Sequence, residues 1–296
     1  MFRNKRVTLA GAALAAAVCA APASGDVIMD FDATNWSGNF TTSPEDNWVD
    51  SVAGVVAQRG GLNGAAPTKS VATINGQSVD AINFTSDSFD VNTTTHPLAG
   101  LKEFTVSLVF RTTTPGAGGE NNFYQNNGFV GKELPGAGVG DWNLGVSTGG
   151  LINGGTGLGS GDTGTPGPVV NDGAWHVASF VIDNNDDGTF TQTTYVDGVA
   201  AAAPDTVAYN TAADQGDVAA SNFAIGARRD GDNGYMTEGS IARLQFDDLA
   251  LTPAQIAAQH ATFLGEAVPD PASAGLLLVA GAGLLMRRRR ADAVSG

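Results

Sequence analysis

Apolar and polar positions alternate with period two through the interior of the chain, and uninterrupted apolar runs stand at both ends. The segment Phe104-Thr105-Val106-Ser107-Leu108-Val109-Phe110-Arg111 is the cleanest case, with Phe104, Val106, Leu108 and Phe110 on one face of an extended strand. Val27 to Phe31 predicts a first strand, and Ser70 to Asn75 with Val79 to Phe84 predicts a hairpin across Gly76-Gln77. Gly128 to Lys132 and Asp141 to Ser147 read as the next two strands. Ala174 to Ile182 and Phe190 to Val196 form a second hairpin across Asp183 to Gly188, and Asp197-Gly198 makes a further tight turn. Asn222 to Ala227 and Ser240 to Phe246 complete the strands. The Gly-rich stretch 148–168 reads as a long surface loop, and the poorly periodic segments around Trp36 and Trp48 read as loops too. Thr252 as N-cap and Pro253 at N1 predict one short helix to about Phe263. Strands at roughly ten-residue spacing with one terminal helix indicate an all-β, antiparallel sandwich over residues 26–266.

The two ends follow a different logic. Arg3, Lys5 and Arg6, the apolar stretch Val7 to Ala20 and the small-x-small site Ala21-Pro22-Ala23 read as a secretory signal peptide over residues 1–23. Cys19 is the only cysteine; Val18 before it does not suit a lipidation site, and cleavage after Ala23 leaves a mature chain without thiols or disulfides. At the other end, Val268-Pro269-Asp270-Pro271 leads into the apolar run Ala272 to Met286 and then Arg287, Arg288, Arg289 and Arg290. Fifteen residues make a helix of roughly 22 Å, short for a bilayer core. The basic block nevertheless acts as a stop held on the cytoplasmic face. This tail resembles the PEP-CTERM sorting signal of Gram-negative, exopolysaccharide-producing bacteria, which combines a Pro-acid-Pro tripeptide, a short transmembrane stretch and an arginine cluster. Membership implies an exosortase, a membrane protease, as partner after the secretion machinery. It also implies transient anchoring in the inner membrane before release to the cell surface or extracellular matrix. Asp270 stands where the family usually has Glu, and six residues follow the arginines.

Charge narrows the partners. Between residues 24 and 286 there are eight basic and twenty-nine acidic residues, a net charge of −21. Nucleic acid and anionic lipid need a basic footprint and are excluded as partners by this balance; divalent cations are not.

Candidate chemistry is sparse. Glutamates are few and none has a carboxylate partner at the alternate spacing that would place a glycanase acid and base on one strand. His96, His176 and His260 have no thiol nearby in sequence, and no nucleophile–base–orienter set can be named. Asp183, Asn185 and Asp187, followed by Gly188, match the opening of a calcium loop with oxygen ligands at alternate positions. The twelfth position is Thr194 and not a bidentate Glu, so an EF-hand is excluded and an acidic turn remains the other reading. Asp230, Asp232 and Asn233 form a second oxygen-rich cluster. Trp142, between Asp141 and Asn143, and Tyr235, beside that cluster, are the candidate aromatics for stacking on a sugar.

A second resemblance rests on Asn171-Asp172-Gly173-Ala174-Trp175-His176-Val177, Tyr195-Val196-Asp197-Gly198 and Ala224-Ile225-Gly226. It continues through Gly239-Ser240-Ile241-Ala242-Arg243-Leu244 and Leu251-Thr252-Pro253-Ala254-Gln255-Ile256. In this order the motifs resemble the laminin-G-like, concanavalin-A-like lectin superfamily over about Phe104 to Phe263. The resemblance implies a jelly roll, a structural Trp175-His176 pair with Trp175 facing the core, and a calcium site at the sandwich rim. It does not fix a ligand. Three functions stay open: a non-enzymatic protein that binds extracellular polysaccharide or adheres in the matrix, a structural matrix component, and a glycan-active hydrolase.

Overall fold

The computed structural model describes residues 25–38, 47–60, 65–91, 96–119, 122–132, 141–158, 163–209, 222–228 and 234–265. The signal segment, the Val268 to Arg290 tail, and Asp230, Asp232 and Asn233 lie outside the described residues. No helix among the described residues is long and apolar enough to cross a membrane.

In chain order the strands begin with β1 (Val27–Asp32), β2 (Trp48–Val49), β3 (Val56–Arg59), β4 (Ala65–Ile74), β5 (Gln77–Thr85) and β6 (Phe89–Val91). They continue as β7 (Phe104–Thr112), β8 (Asn127–Lys132), β9 (Trp142–Ser147), β10 (Leu151–Thr156), β11 (Thr163–Val169) and β12 (Trp175–Asn184). The last are β13 (Thr189–Val196), β14 (Val199–Ala200), β15 (Asp205–Ala208), β16 (Phe223–Ile225) and β17 (Gly239–Asp247), before helix α1 (Pro253–Phe263). Two antiparallel sheets result among the described residues. The larger has the order β14-β13-β12-β7-β17-β5-β4, with β1 on β17 and β15 on β13; the smaller runs β11-β10-β9-β8-β16-β6-β3-β2.

Period-two alternation sorts the side chains. From the larger sheet Leu108, Phe110, Phe180, Ile182 and Phe246 point inward; from the smaller Phe89, Phe129, Leu144, Ile152 and Ile225 meet them in one core. Trp142 ties the layers together, its indole 5.3 Å from the Phe104 ring and 6.1 Å from Phe246 in edge geometry. Trp36 and Trp48 flank Phe89 in the same core, so the segments that look like loops in sequence are packed inside.

Residues 148–168, expected as a surface loop, hold β10 and all but the last residue of β11. The glycines that disguise them mark close approaches and not turns. A Cβ at Gly154 would stand 2.3 Å from Phe180, and one at Gly155 2.5 Å from Phe123. The β4–β5 hairpin turns at Asn75-Gly76, one residue before the expected turn, with both residues at positive φ (47° and 78°).

Helix α1 begins as the sequence indicates. The Thr252 hydroxyl and the Gln255 side chain exchange a capping box. The helix lies on the outer face of the larger sheet, where Ile256 and Leu251 join Val181 and Tyr195 in a small cluster.

Candidate functional site

The outer face of the larger sheet is only partly covered by α1. At the end that α1 does not cover, side chains from five neighbouring strands stand in one row, because the registers align Trp175 with Arg111, Arg111 with Ser240, Ser240 with Asn83, and Asn83 with Thr68. The row is bonded along its length. The Arg111 guanidinium lies over the Trp175 ring at 5.3 Å and donates from Nε to Ser240 Oγ at 3.3 Å. Ser240 Oγ donates to Asn83 Oδ1 at 2.8 Å, and Asn83 Nδ2 donates to Thr68 Oγ1 at 3.3 Å.

Among the described residues, clefts open on this face. One of about 310 Å³ is lined by Arg111, Asn83, Ser240, Thr113 and Glu238. A second, about 440 Å³, lies between the Asn75 turn, Trp175, Asp197 and Leu264. The third, about 390 Å³, sits beside the end of α1 between Val71, Val79, Val109, Phe263 and Arg243. These volumes suit small polar ligands or single sugar units. In the third cleft Arg243 is spoken for, paired bidentately with Asp30 at 2.8 and 2.7 Å and lying 5.0 Å over the Phe263 ring.

Next to Trp175, the His176 ring is clamped. Nδ1 lies 2.8 Å from Asp197 Oδ2 and Nε2 3.2 Å from Asp172 Oδ1. The hydrogen bond to Asp197 raises the His176 pKa, against the opposing effect of burial. In its protonated form the ring donates from both nitrogens and ties the 172–175 turn to the Asp197-Gly198 turn.

Under α1 a Ser–His contact occurs that could be mistaken for a nucleophile and its base: Ser179 Oγ lies 2.7 Å from His260 Nε2, both residues buried. The proton order says otherwise. His260 Nδ1 accepts the backbone N–H of Gly198, so the neutral ring carries its proton on Nε2 and donates it to Ser179. Ser179 in turn donates to Ser107 Oγ at 2.5 Å, Ser107 to Gln259 Oε1 at 2.7 Å, and Gln259 Nε2 to Asp247 Oδ2 at 3.0 Å. Each group spends its proton on the next, so His260 cannot take one from Ser179. Burial holds the His260 pKa down to about 4 and pushes Asp247 up to about 6.

The residues singled out from sequence fare unequally. Trp142 is 1% exposed and belongs to the core, which corrects its assignment as a sugar platform: it occupies an inward parity position of β9, in step with Leu144 and Val146. Trp175, expected in the core, faces outward, because Ala178, Phe180 and Ile182 take the inner parity of β12. Tyr235 is half-buried, in a β-bridge with Ala227. Asp183, Asn185 and Asp187 do not converge as a ligand set. Asn185 Nδ2 donates to the Thr189 and Thr191 hydroxyls at 2.8 and 3.1 Å, and Asp187 Oδ1 accepts from Thr189 N–H and Oγ1 at 3.0 and 2.6 Å. Among the described residues no three His, Cys, Asp or Glu side chains form a metal group. The row residues Arg111, Ser240 and Asn83 were missed as site residues. Arg111 stands at the outward parity of the cleanest strand, but only the strand pairing, which the sequence does not display, brings it to Trp175.

A laminin-G family model of the concanavalin A-like lectin/glucanases superfamily matches residues 74–257. No curated protein matches the sequence. Similar solved structures include the binding domain of Paraclostridial Mosquitocidal Protein 1, with a TM-score of 0.48, 10% identity, and 80% of this chain and 52% of that one covered. The receptor binding domain of botulinum neurotoxin D gives 0.46, 14%, 80% and 52%, and Trypanosoma rangeli sialidase 0.51, 14%, 83% and 34%. The chain thus spans about half the length of the toxin domains it matches and about a third of the sialidase, and the sialidase likeness concerns the fold. With its matched segment running from β4 into α1 across both sheets, the chain belongs to the concanavalin A-like lectin/glucanases superfamily.

Proposed function

We propose that this is an exported, surface-sorted protein of the extracellular matrix that binds carbohydrate without catalysing its turnover. The observation that carries the reading is the row Trp175-Arg111-Ser240-Asn83 on the open sheet face, with clefts on either side of the Trp175–Arg111 stack. A half-buried indole, hydroxyls and an amide fixed by one another are the chemistry that sugar recognition uses. Pre-ordering them lowers the entropy lost on binding. The absence of catalysis is part of the proposal; it rests on the spent protons of the Ser179–His260 chain and on the sequence's lack of a spaced glutamate pair.

Export by the secretion machinery and recognition by an exosortase rest on residues 1–23 and on Val268 to Arg290. Calcium enters this reading through Asp230, Asp232 and Asn233, whose oxygen-rich spacing is its support.

The test is a glycan array probed with the full chain, once with calcium and once with a chelator. Binding in either condition, lost on Trp175→Ala, is the expected result. Binding that also vanishes with the chelator assigns the calcium role. Silence in both conditions overturns the carbohydrate reading in favour of a structural matrix component, and release of reducing sugar overturns the non-enzymatic one.

A further inference from the structure

We propose that the Arg111 cleft selects an acidic sugar, a uronate-type unit whose carboxylate is held by the Arg111 guanidinium; this rests on the carbohydrate reading above and specifies its ligand. The argument starts from how this chain spends its cations. Its body carries eight basic residues against twenty-nine acidic ones, so carboxylate partners are abundant. Arg59 takes Asp87 at 2.7 Å, Lys69 takes Asp80 at 2.9 Å and Arg243 takes Asp30 at 2.7 Å. Arg111 takes none among the described residues: its bonds are Nε to Ser240 and the stack on Trp175. The guanidinium is exposed, yet both of these contacts fix its plane. Its terminal nitrogens remain as a prepared two-toothed fork, the geometry that matches a carboxylate.

What surrounds the fork suits the rest of a sugar. Asn83, Ser240, Thr112 and Thr113 line the same cleft of about 310 Å³. Glu238 borders it, held at Oε2 by the Thr113 hydroxyl at 2.8 Å. A guanidinium for a carboxylate and a carboxylate for hydroxyls, in one cleft, fit a ligand carrying both groups. A neutral sugar would leave the fork unused. An inorganic anion would meet Glu238 as a like charge.

The acidic body opposes polyanions at long range. At physiological salt the Debye length is about 8 Å, so distant carboxylates are largely screened while a contact pair is not. The cleft therefore takes a short acidic stretch.

Fluorescence reads this site directly. Trp36, Trp48 and Trp142 are at most 1% exposed, whereas Trp175 is half-buried and stacked on Arg111, which lines the cleft. The full chain is titrated with oligogalacturonate, its methyl ester and sulfated dextran, following emission and acrylamide quenching. The expected result is a change in emission with protection from quenching by oligogalacturonate, at least tenfold weaker binding of the ester, and no comparable response to sulfated dextran. Arg111→Gln and Arg111→Lys should each lose at least tenfold, because the lysine restores charge but neither fork nor stack. Equal binding of acid and ester, a preference for sulfate, or full activity of Arg111→Lys overturns the proposal. If neutral glycans bind and Arg111→Gln leaves them unchanged, the carbohydrate reading stands and the acidic-sugar assignment falls. If no glycan binds at all, both fall. The titration of the unsubstituted chain settles the matter even if a variant fails to fold.

Discussion

His176 has a carboxylate oxygen on each ring nitrogen, and the pH dependence of this clamp follows from the sign of its shift. Its pKa is raised in the folded chain, first by Asp197, so the imidazolium stabilises the fold fully below its unfolded value of about 6.5 and loses that contribution as pH rises through the folded value. Asp172 is more than half exposed, so solvent screening keeps the effect under roughly 1 kcal/mol. His176→Gln should be less stable than wild type near about pH 5.5 and equal to it near about pH 8.5, as measured by urea unfolding at both. An equal deficit at both pH values would mean that packing, not charge, holds the clamp. The two tryptophans give a sharper contrast. Trp142→Ala empties the centre of the core and should cost about 3–5 kcal/mol, whereas Trp175→Ala on the outer face should cost well under half of that. Thermal melting of the pair checks it, and comparable losses would contradict the parity assignment. Sequence shows that each tryptophan sits on an alternating strand. Which parity faces inward depends on which sheet lies behind it, and so Trp142 and Trp175 exchange their expected roles.

At the scale of elements, α1 is the part most legible in sequence, because its signals are local: Thr252, Pro253 and Gln255 define the start whatever the rest of the fold does. Its attachment was not legible, since Ser107, Ser179, Asp247, Gln259 and His260 come from β7, β12, β17 and the helix itself. That chain carries two opposed pH effects. His260 is held down to about 4, so it charges in the unfolded state first, and its contribution is lost as pH falls from about 6.5. Asp247 is pushed up to about 6, so its protonated form favours the fold, and its contribution is lost as pH rises from about 3.8. Each shift spans about two units, on the order of 3 kcal/mol, and between about pH 4 and 6 they cancel. Asp247→Asn should therefore make stability rise with pH across this window relative to wild type, and His260→Gln should make it fall. Denaturant midpoints at three pH values decide; parallel profiles for all three proteins would show that neither group is strained by burial.

For the whole molecule, most of the larger sheet could be read from the chain because β5, β7, β12, β13 and β17 are strands of eight to ten residues bounded by turn signals. Much of the smaller sheet could not: β2 and β6 have two and three residues, and β10 and β11 are glycine-rich and polar. The β11 edge also closes on β13 through hydroxyls and an amide in place of apolar side chains, with Thr165 Oγ1 2.6 Å from Thr194 Oγ1 and Gln192 Nε2 donating to Thr163 Oγ1 at 2.8 Å. Period-two hydrophobicity is blind to such a seam. The proposed sorting role adds a prediction at this scale, because anchoring and processing use different residues of one tail. In that proposal the apolar run Ala272 to Met286 and the four arginines would supply the anchor, and Pro269-Asp270-Pro271 the recognition step. A chain ending at Glu266 should leave the envelope fraction for the medium. Replacing both Pro269 and Pro271 by Ala should instead leave the protein membrane-bound at its unprocessed mass, since the anchor is intact and the cut is lost. Fractionation followed by mass measurement separates the two. If the truncated chain stays in the envelope, something in the sandwich holds it there and the tail is not its address. If the double-Ala chain is processed like wild type, the tripeptide is not what the protease reads.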